Sequence, residues 1–238
     1  MPLTTRRHFI QQTAAAAAAL FGHPVAALNE LARSAVASQQ NAIPVDAAAL
    51  RKLASNIAGN VITSDGSEYE AARLIFNRAF DLHPAVIVRC AGSSDVARAL
   101  EFSQKQKMPL AVRGGGHSRL GYGMCDGGVV IDLSGMKRIE VDAGKRVAHV
   151  ESGAVVRELD EATQRVGLAT TSGGCPGVGV AGLTLGGGEG RLMEKYGAAC
   201  DNLLSVQVVT VDGRQVEASQ QSNPDLFWAI RGGGGTSA

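Results

Sequence analysis

The chain has 238 residues, 45% of them hydrophobic and 19% charged, so a packed core is within reach and global disorder is excluded. Lysine plus arginine number 23 and aspartate plus glutamate 22, which excludes an electrostatic footprint for nucleic acid or an anionic membrane surface. The 30 glycines follow no collagen period and imply tight turns and places where the backbone comes close to a ligand.

In chain order, the first feature is Arg6-Arg7, followed by Phe9 and an alanine-rich apolar run from Ala14 to Leu20. This pattern resembles a bacterial twin-arginine export signal, with Val25 and Ala27 as the small residues before a cleavage point. Residues 1–27 are therefore expected to be an address read by the twin-arginine export machinery. The mature protein is then periplasmic or secreted. The bland alternative is an alanine-rich amphipathic helix that stays attached. The run is too short and too weakly apolar for a transmembrane helix, so the mature chain is expected to have no span. Residues 28–79, rich at first in Ala, Ser, Asn and Gln, read as a linker and an N-terminal helical segment. Residues 80–238 read as the main domain.

Val86 to Arg89 is a short apolar run between Pro84 and Gly92 and predicts a strand. Ser93 or Ser94 is placed to cap a helix running through Lys105, with Val96, Ala99, Leu100 and Ser103 on one face. Leu110 to Val112 and Val129 to Leu133 are two further strands, the first reached by a βαβ-like crossover. Asp142-Ala143-Gly144-Lys145 turns one hairpin, and Asp212-Gly213 turns a second one between Leu204–Val211 and Arg214–Ala218. Between the hairpins, Val155, Leu159, Ala162 and Val166 describe an amphipathic helix. The class is α+β, with glycine-rich loops between elements.

Two of those loops carry chemistry. Arg113-Gly114-Gly115-Gly116-His117-Ser118 follows a strand directly. Gly173-Gly174-Cys175-Pro176-Gly177-Val178-Gly179-Val180-Ala181-Gly182 leads into Leu183-Thr184-Leu185-Gly186-Gly187-Gly188. Successive glycines let backbone N–H groups turn inward as a nest for phosphate oxygens. Two such loops suit a diphosphate-bridged ligand better than a monophosphate. Neither has the strand–G-x-G-x-x-G–helix form of a Rossmann site, and there is no G-x-x-x-x-G-K-[ST] P-loop. The four cysteines, Cys90, Cys125, Cys175 and Cys200, fit no zinc ribbon and no C-x-x-C pair, so no metal is expected.

The order strand, R-G-G-G-H-S, a strand ending Ile131-Asp132-Leu133-Ser134, G-x-C-P-x-V-G-V-x-G and L-T-L-G-G-G resembles the FAD domain of berberine-bridge-enzyme-like oxidases. Lys195-Tyr196-Gly197, Asp201-Asn202-Leu203, Asp212-Gly213 and the stretch from Asp225 to Gly234 are similar to the same family, over about residues 80–235. The resemblance implies a PCMH-type FAD-binding domain of two α/β subdomains. It implies FAD as cofactor, bonded covalently to His117 through the flavin 8α-methyl and to Cys175 through ring carbon 6. Many bacterial relatives carry only the histidyl link; a cysteine before Pro176 favours the doubly attached subtype. An imidazole and a thiolate are chemically suited nucleophiles for those ring positions.

The cofactor-binding set implied is Arg113, Gly114, Gly115, Gly116, His117, Ser118, Cys175, Val178, Gly179, Gly182, Gly186, Gly187 and Asn202. Val178 either resembles a gate residue whose small side chain admits oxygen or is an ordinary loop valine. Asp201 and Asn202 either bond the flavin, bond the loop, or simply cap a turn. Glu189 stands where the family often has an apolar or aromatic residue. The remaining cysteines read as structural, and a disulfide among them cannot be assigned. The expected activity is oxidation of an alcohol, sugar or alkaloid-like small molecule, with oxygen as electron acceptor. In the resembled family a substrate domain with the catalytic base follows the last glycines. That domain is absent from this sequence, so the chain is expected to be a C-terminally truncated portion. The rival readings are a flavin-binding fragment without turnover and a noncovalent relative that uses its flavin for reduction.

Overall fold

The computed structural model describes residues 45–232. The export signal, the linker up to residue 44 and the final glycines from 233 lie outside the described residues. Those described belong to one compact unit, Ile43–Ala238.

A four-stranded sheet organises the N-terminal part. Its strands are β1 (Asn60–Thr63), β2 (Val86–Arg89), β3 (Leu110–Arg113) and β4 (Val129–Asp132), in the spatial order β1-β2-β4-β3. β1 pairs antiparallel to β2, while β2 and β3 both run parallel to β4. The crossover from β2 to β3 therefore skips a position, which β4 later fills. The two central strands are buried throughout except at Arg89, as expected for continuous apolar, β-branched runs covered on both faces. On one face Val86, Val88, Val129 and Ile131 pack against Ala99, Leu100 and Phe102 of the helix α3 (Ser93–Gln106) and against Leu53 of α1 (Ala47–Asn56). On the other, Ile87, Val130 and Ala111 meet Ile62, Ile75, Met124 and the one-turn α2 (Tyr69–Ala72).

Two sequence expectations shift here. The segment 28–79 was set apart from the main domain, but β1 within it forms the edge of this sheet and pairs with β2 along its whole length. The expected serine cap of α3 is also not used: Gly92 is the cap residue, and Ser93 and Ser94 are the first helical residues. The side chain that organises this helix start is Asp95. Its buried carboxylate accepts from Ala91 N (3.0 Å), Ala58 N (3.0 Å) and Gly59 N (2.9 Å), tying the helix to the turn before β1.

The C-terminal part carries both expected hairpins, β5 (Ile139–Asp142) with β6 (Val147–Val150) and β7 (Ser205–Val209) with β8 (Gln215–Ser219). Between them lie α4 (Val156–Gln164), α5 (Val180–Leu185), α6 (Met193–Tyr196) and a 3-10 turn (Ala199–Asn202), and α7 (Pro224–Ala229) ends the described chain. The buried stripe of α4 is Val156, Leu159 and Thr163, not Val155, Ala162 and Val166. Val155 is the cap residue, whose N–H donates to Glu158 Oε2 at 2.9 Å, and the chain leaves the helix before Val166, which is exposed. All four cysteines are free thiols, so none of the disulfides left open is formed. Burial pushes the Cys90 thiol up to about 12 and the Cys125 thiol up to about 11. No described helix is long and apolar enough to cross a membrane.

Burial alone would raise the Asp95 carboxyl, but the Ala91, Ala58 and Gly59 amides and the Arg98 guanidinium outweigh it and hold it below the ordinary carboxylate value. A depressed folded value stabilises the protein above the unfolded one, near about 3.9, and that contribution is lost as pH falls through the folded value. Urea unfolding of Asp95→Asn should show about 1.5–3 kcal/mol lower stability at pH 7. The gap to the parent should narrow below about pH 4. A gap constant with pH would show that the ionised form is not what the three amides hold.

Candidate functional site

The first glycine loop grows out of β3 and is rooted in the sheet by its own first residue. Arg113 sits opposite Asp132 in the β3–β4 register. It turns inward, with Nη2 at 2.6 Å and Nε at 3.2 Å from the two carboxylate oxygens, and it also donates to the Ala72 carbonyl. Asp132 is fully buried and accepts in addition from Ser134 N (3.0 Å) and Arg89 Nε (3.3 Å). A buried carboxylate with this many donors is satisfied, and removing a partner from such a pair is costly. The Arg113 guanidinium is thus committed to the sheet. Beyond it the chain bends at Gly116 (φ +66°), and the buried Ser118 closes the loop by accepting from Tyr122 N at 3.3 Å.

The second loop is pinned along its return limb to the start of α4. Arg157 N donates to Pro176 O (3.0 Å), Val156 N to Val178 O (2.9 Å) and Val180 N to Ala154 O (2.9 Å). Val178 is half-buried in this limb. Gly182 lies inside α5. The Gly186 and Gly187 amides end that helix, donating to Gly182 O and Thr184 O at 3.1 Å each. Asn202 donates from Nδ2 to Tyr196 O (3.0 Å) and Ala198 O (2.8 Å), and Asp201 Oδ2 accepts from Ala198 N (2.9 Å). Of the roles left open for this pair, turn building is the one visible. Glu189 is exposed.

The two loops meet backbone to backbone. A Cβ on Gly115 would lie 2.3 Å from Gly179 N, and one on Gly179 would lie 2.4 Å from Gly115 N, so no side chain fits at either position. This approach brings the two reactive side chains together: Cys175 Sγ is 3.8 Å from His117 Nε2. Cys175 is exposed and His117 half-buried. Around them, the N–H groups of Gly114 to Ser118 and of Gly173, Gly174, Cys175 and Gly177 donate to no backbone carbonyl among the described residues. An imidazole and a thiol thus meet beside two loops whose amides make no backbone hydrogen bond among the described residues. That donor set fits an anionic, diphosphate-bridged cofactor with an electrophilic ring.

Sequence reasoning missed one neighbour. The Phe76 ring stacks on His117 with centroids 3.8 Å apart and planes 17° apart. It lies 41 positions earlier in the chain, and nothing in the sequence around it signals the contact.

The profile of the FAD binding domain family matches residues 84–219. The chain belongs to that family. Among solved structures, this FAD-binding domain is similar to 6-hydroxy-D-nicotine oxidase from Arthrobacter nicotinovorans, at 38% identity and TM-score 0.74 over 75% of this chain and 39% of that one. It is also similar to a berberine-bridge-enzyme-like protein of Physcomitrella patens, at 33% identity and TM-score 0.74 over 77% of this chain and 40% of that one. A third is glucooligosaccharide oxidase from Acremonium strictum, described with a 6-S-cysteinyl, 8α-N1-histidyl FAD, at 31% identity and TM-score 0.73 over 78% of this chain and 40% of that one. The expected α+β, PCMH-type class holds for this FAD-binding domain, which spans about 40% of the length of these relatives.

Gly115→Ala and Gly179→Ala should each lower stability by about 1–3 kcal/mol, as overpacking does. Gly174→Ala and Gly177→Ala, where an added methyl meets nothing within 4 Å, should be near neutral. Thermal melting of the four variants separates the pairs. Equal midpoints for all four would mean the loops do not touch at Gly115 and Gly179.

Proposed function

We propose that this chain is the FAD-holding portion of a flavin-linked oxidase, with the flavin bonded covalently to His117 and Cys175. The observation that carries the proposal is the 3.8 Å approach of Sγ to Nε2 between two loops with available amides. In this reading the amides of Gly114 to Ser118 and of Gly173, Gly174, Cys175 and Gly177 hold the diphosphate. His117 and Cys175 fix the ring, and Val178 and Gly179 shape the limb beside it. The bound flavin would supply two-electron oxidation of an alcohol, sugar or alkaloid-like donor, and the tethers would raise its potential. Oxygen takes the electrons and leaves as hydrogen peroxide. The relatives' names, which include oxidases of a nicotine derivative and of a glucooligosaccharide, support this class of donor.

A second reading is favoured by one fact: the chain covers about 40% of its relatives. It is a flavin-binding portion that turns over no substrate by itself. Acid precipitation separates these possibilities. Acid-stable flavin on the parent chain supports attachment, and His117→Ala and Cys175→Ala should each leave one link and the double variant none. Yellow colour released wholly to the supernatant would overturn the covalent reading. Peroxide release on a panel of sugars and alcohols then distinguishes an oxidase from a flavin carrier.

We further propose export by the twin-arginine route, supported by Arg6-Arg7 ahead of the apolar run. That route carries folded proteins, which suits a chain that acquires its cofactor first. Replacing both arginines by lysine should retain the protein in the cytoplasm; unchanged fractionation would overturn the assignment.

A further inference from the structure

We propose that Phe76 is a positioning residue for His117, holding the imidazole edge-on to the Cys175 thiol. Phe76 is 63% exposed, yet its backbone is fixed on both sides. Ile75, before it, is buried in the cluster with Ile62, Ile87 and Val130. Asn77, after it, donates from Nδ2 to Arg119 O at 2.7 Å, and Phe76 N itself donates to Gly116 O at 2.9 Å. The residues on either side of His117 are therefore gripped by the same short segment that lays a ring on it. That segment lies outside the matched stretch 84–219.

The stack has a specific mechanical effect. With one face of the imidazole covered at 3.8 Å, ring rotation is restricted and the in-plane nitrogens keep fixed directions. One of those directions, Nε2, is the one facing Sγ. When the thiol attacks iodoacetamide, the sulfur–carbon bond forms, the proton passes from Sγ to Nε2, and the carbon–iodine bond breaks with iodide keeping its electron pair. Without the covering ring, His117 samples orientations in which Nε2 is turned away, and proton transfer loses its geometry. This positioning role stands on the protein's own atoms. Only its consequence for flavin attachment rests on the proposed function.

The test uses the 238-residue chain without added flavin, as parent, Phe76→Ala, Phe76→Tyr, His117→Ala and the Phe76→Ala/His117→Ala double variant. Proton NMR reads the His117 ring signals, assigned by their loss in His117→Ala. Mass spectrometry reads the rate of Cys175 alkylation by iodoacetamide. The parent should show His117 protons shifted upfield by the phenyl ring current. Phe76→Ala should lose that shift, keep its melting temperature and alkylate about three-fold more slowly or less. Phe76→Tyr should restore both readouts, and the double variant should be no slower than His117→Ala. An unshifted parent overturns the proposal. So does Phe76→Ala reacting at the parent's rate or faster, or a double variant in which the two losses multiply. Incubation with FAD in air, where oxygen takes the two electrons and two protons released as each new bond replaces a flavin C–H, adds a separate arm: acid-stable flavin should accumulate more slowly in Phe76→Ala than in the parent. If even the parent acquires none, the flavin reading fails, while the NMR and alkylation results still decide the role of Phe76.

Discussion

The closeness of Gly115 to Gly179 is the constraint on which the site depends. Two peptide backbones can lie against each other only where neither carries a side chain, and here an added carbon on either would fall about as near as a bonded neighbour's reach. Each loop also has its own fixed foundation. The first stands on the sheet through Arg113 and Asp132, and the second on the start of α4 through the Val156–Val178 and Arg157–Pro176 bonds. The reactive imidazole and thiol are brought together because both foundations and the bare contact between them agree.

This division of labour explains why so few side chains in the loops face a ligand. Arg113 is spent inward, Ser118 is buried, and Asn202 is occupied by its own turn. What the loops present is backbone, and two side chains able to form bonds. Recognition by amides reads charge and not side-chain shape, which suits a domain that holds a cofactor.

The sequence made some of this legible for local reasons. Val86–Arg89 and Val129–Asp132 are short apolar, β-branched runs of the kind a buried strand takes, and Asp212-Gly213 marks a hairpin in which Gly213 takes φ +80° and the Asp212 carboxylate accepts from Thr210 and Arg214. His117 is marked by the three glycines before it, which leave it little packing role, and Cys175 by the resemblance of its G-x-C-P loop to a flavin-bonding family. Other features depend on partners far along the chain and carry no local mark. Asp95 organises α3 only because β1's preceding turn delivers Ala58 and Gly59 to it. The buried stripe of α4 keeps Leu159 but takes Val156 and Thr163 in place of Val155 and Ala162, because Val155 is the cap residue and lies outside the first helical turn. Phe76 reads as an ordinary aromatic until the fold lays it on His117.

Cutting the chain back to the stretch that aligns with the family, 84–219, would remove Asn60–Thr63 and bare one whole side of Val86–Arg89. An uncovered row of amides and carbonyls beside fully buried valines is a template for a neighbouring molecule's strand, so a minimal fragment chosen by homology alone would invite aggregation. The folded sheet begins before residue 84, and anyone trimming this protein for crystallisation or fusion should keep the residues from α1 onward.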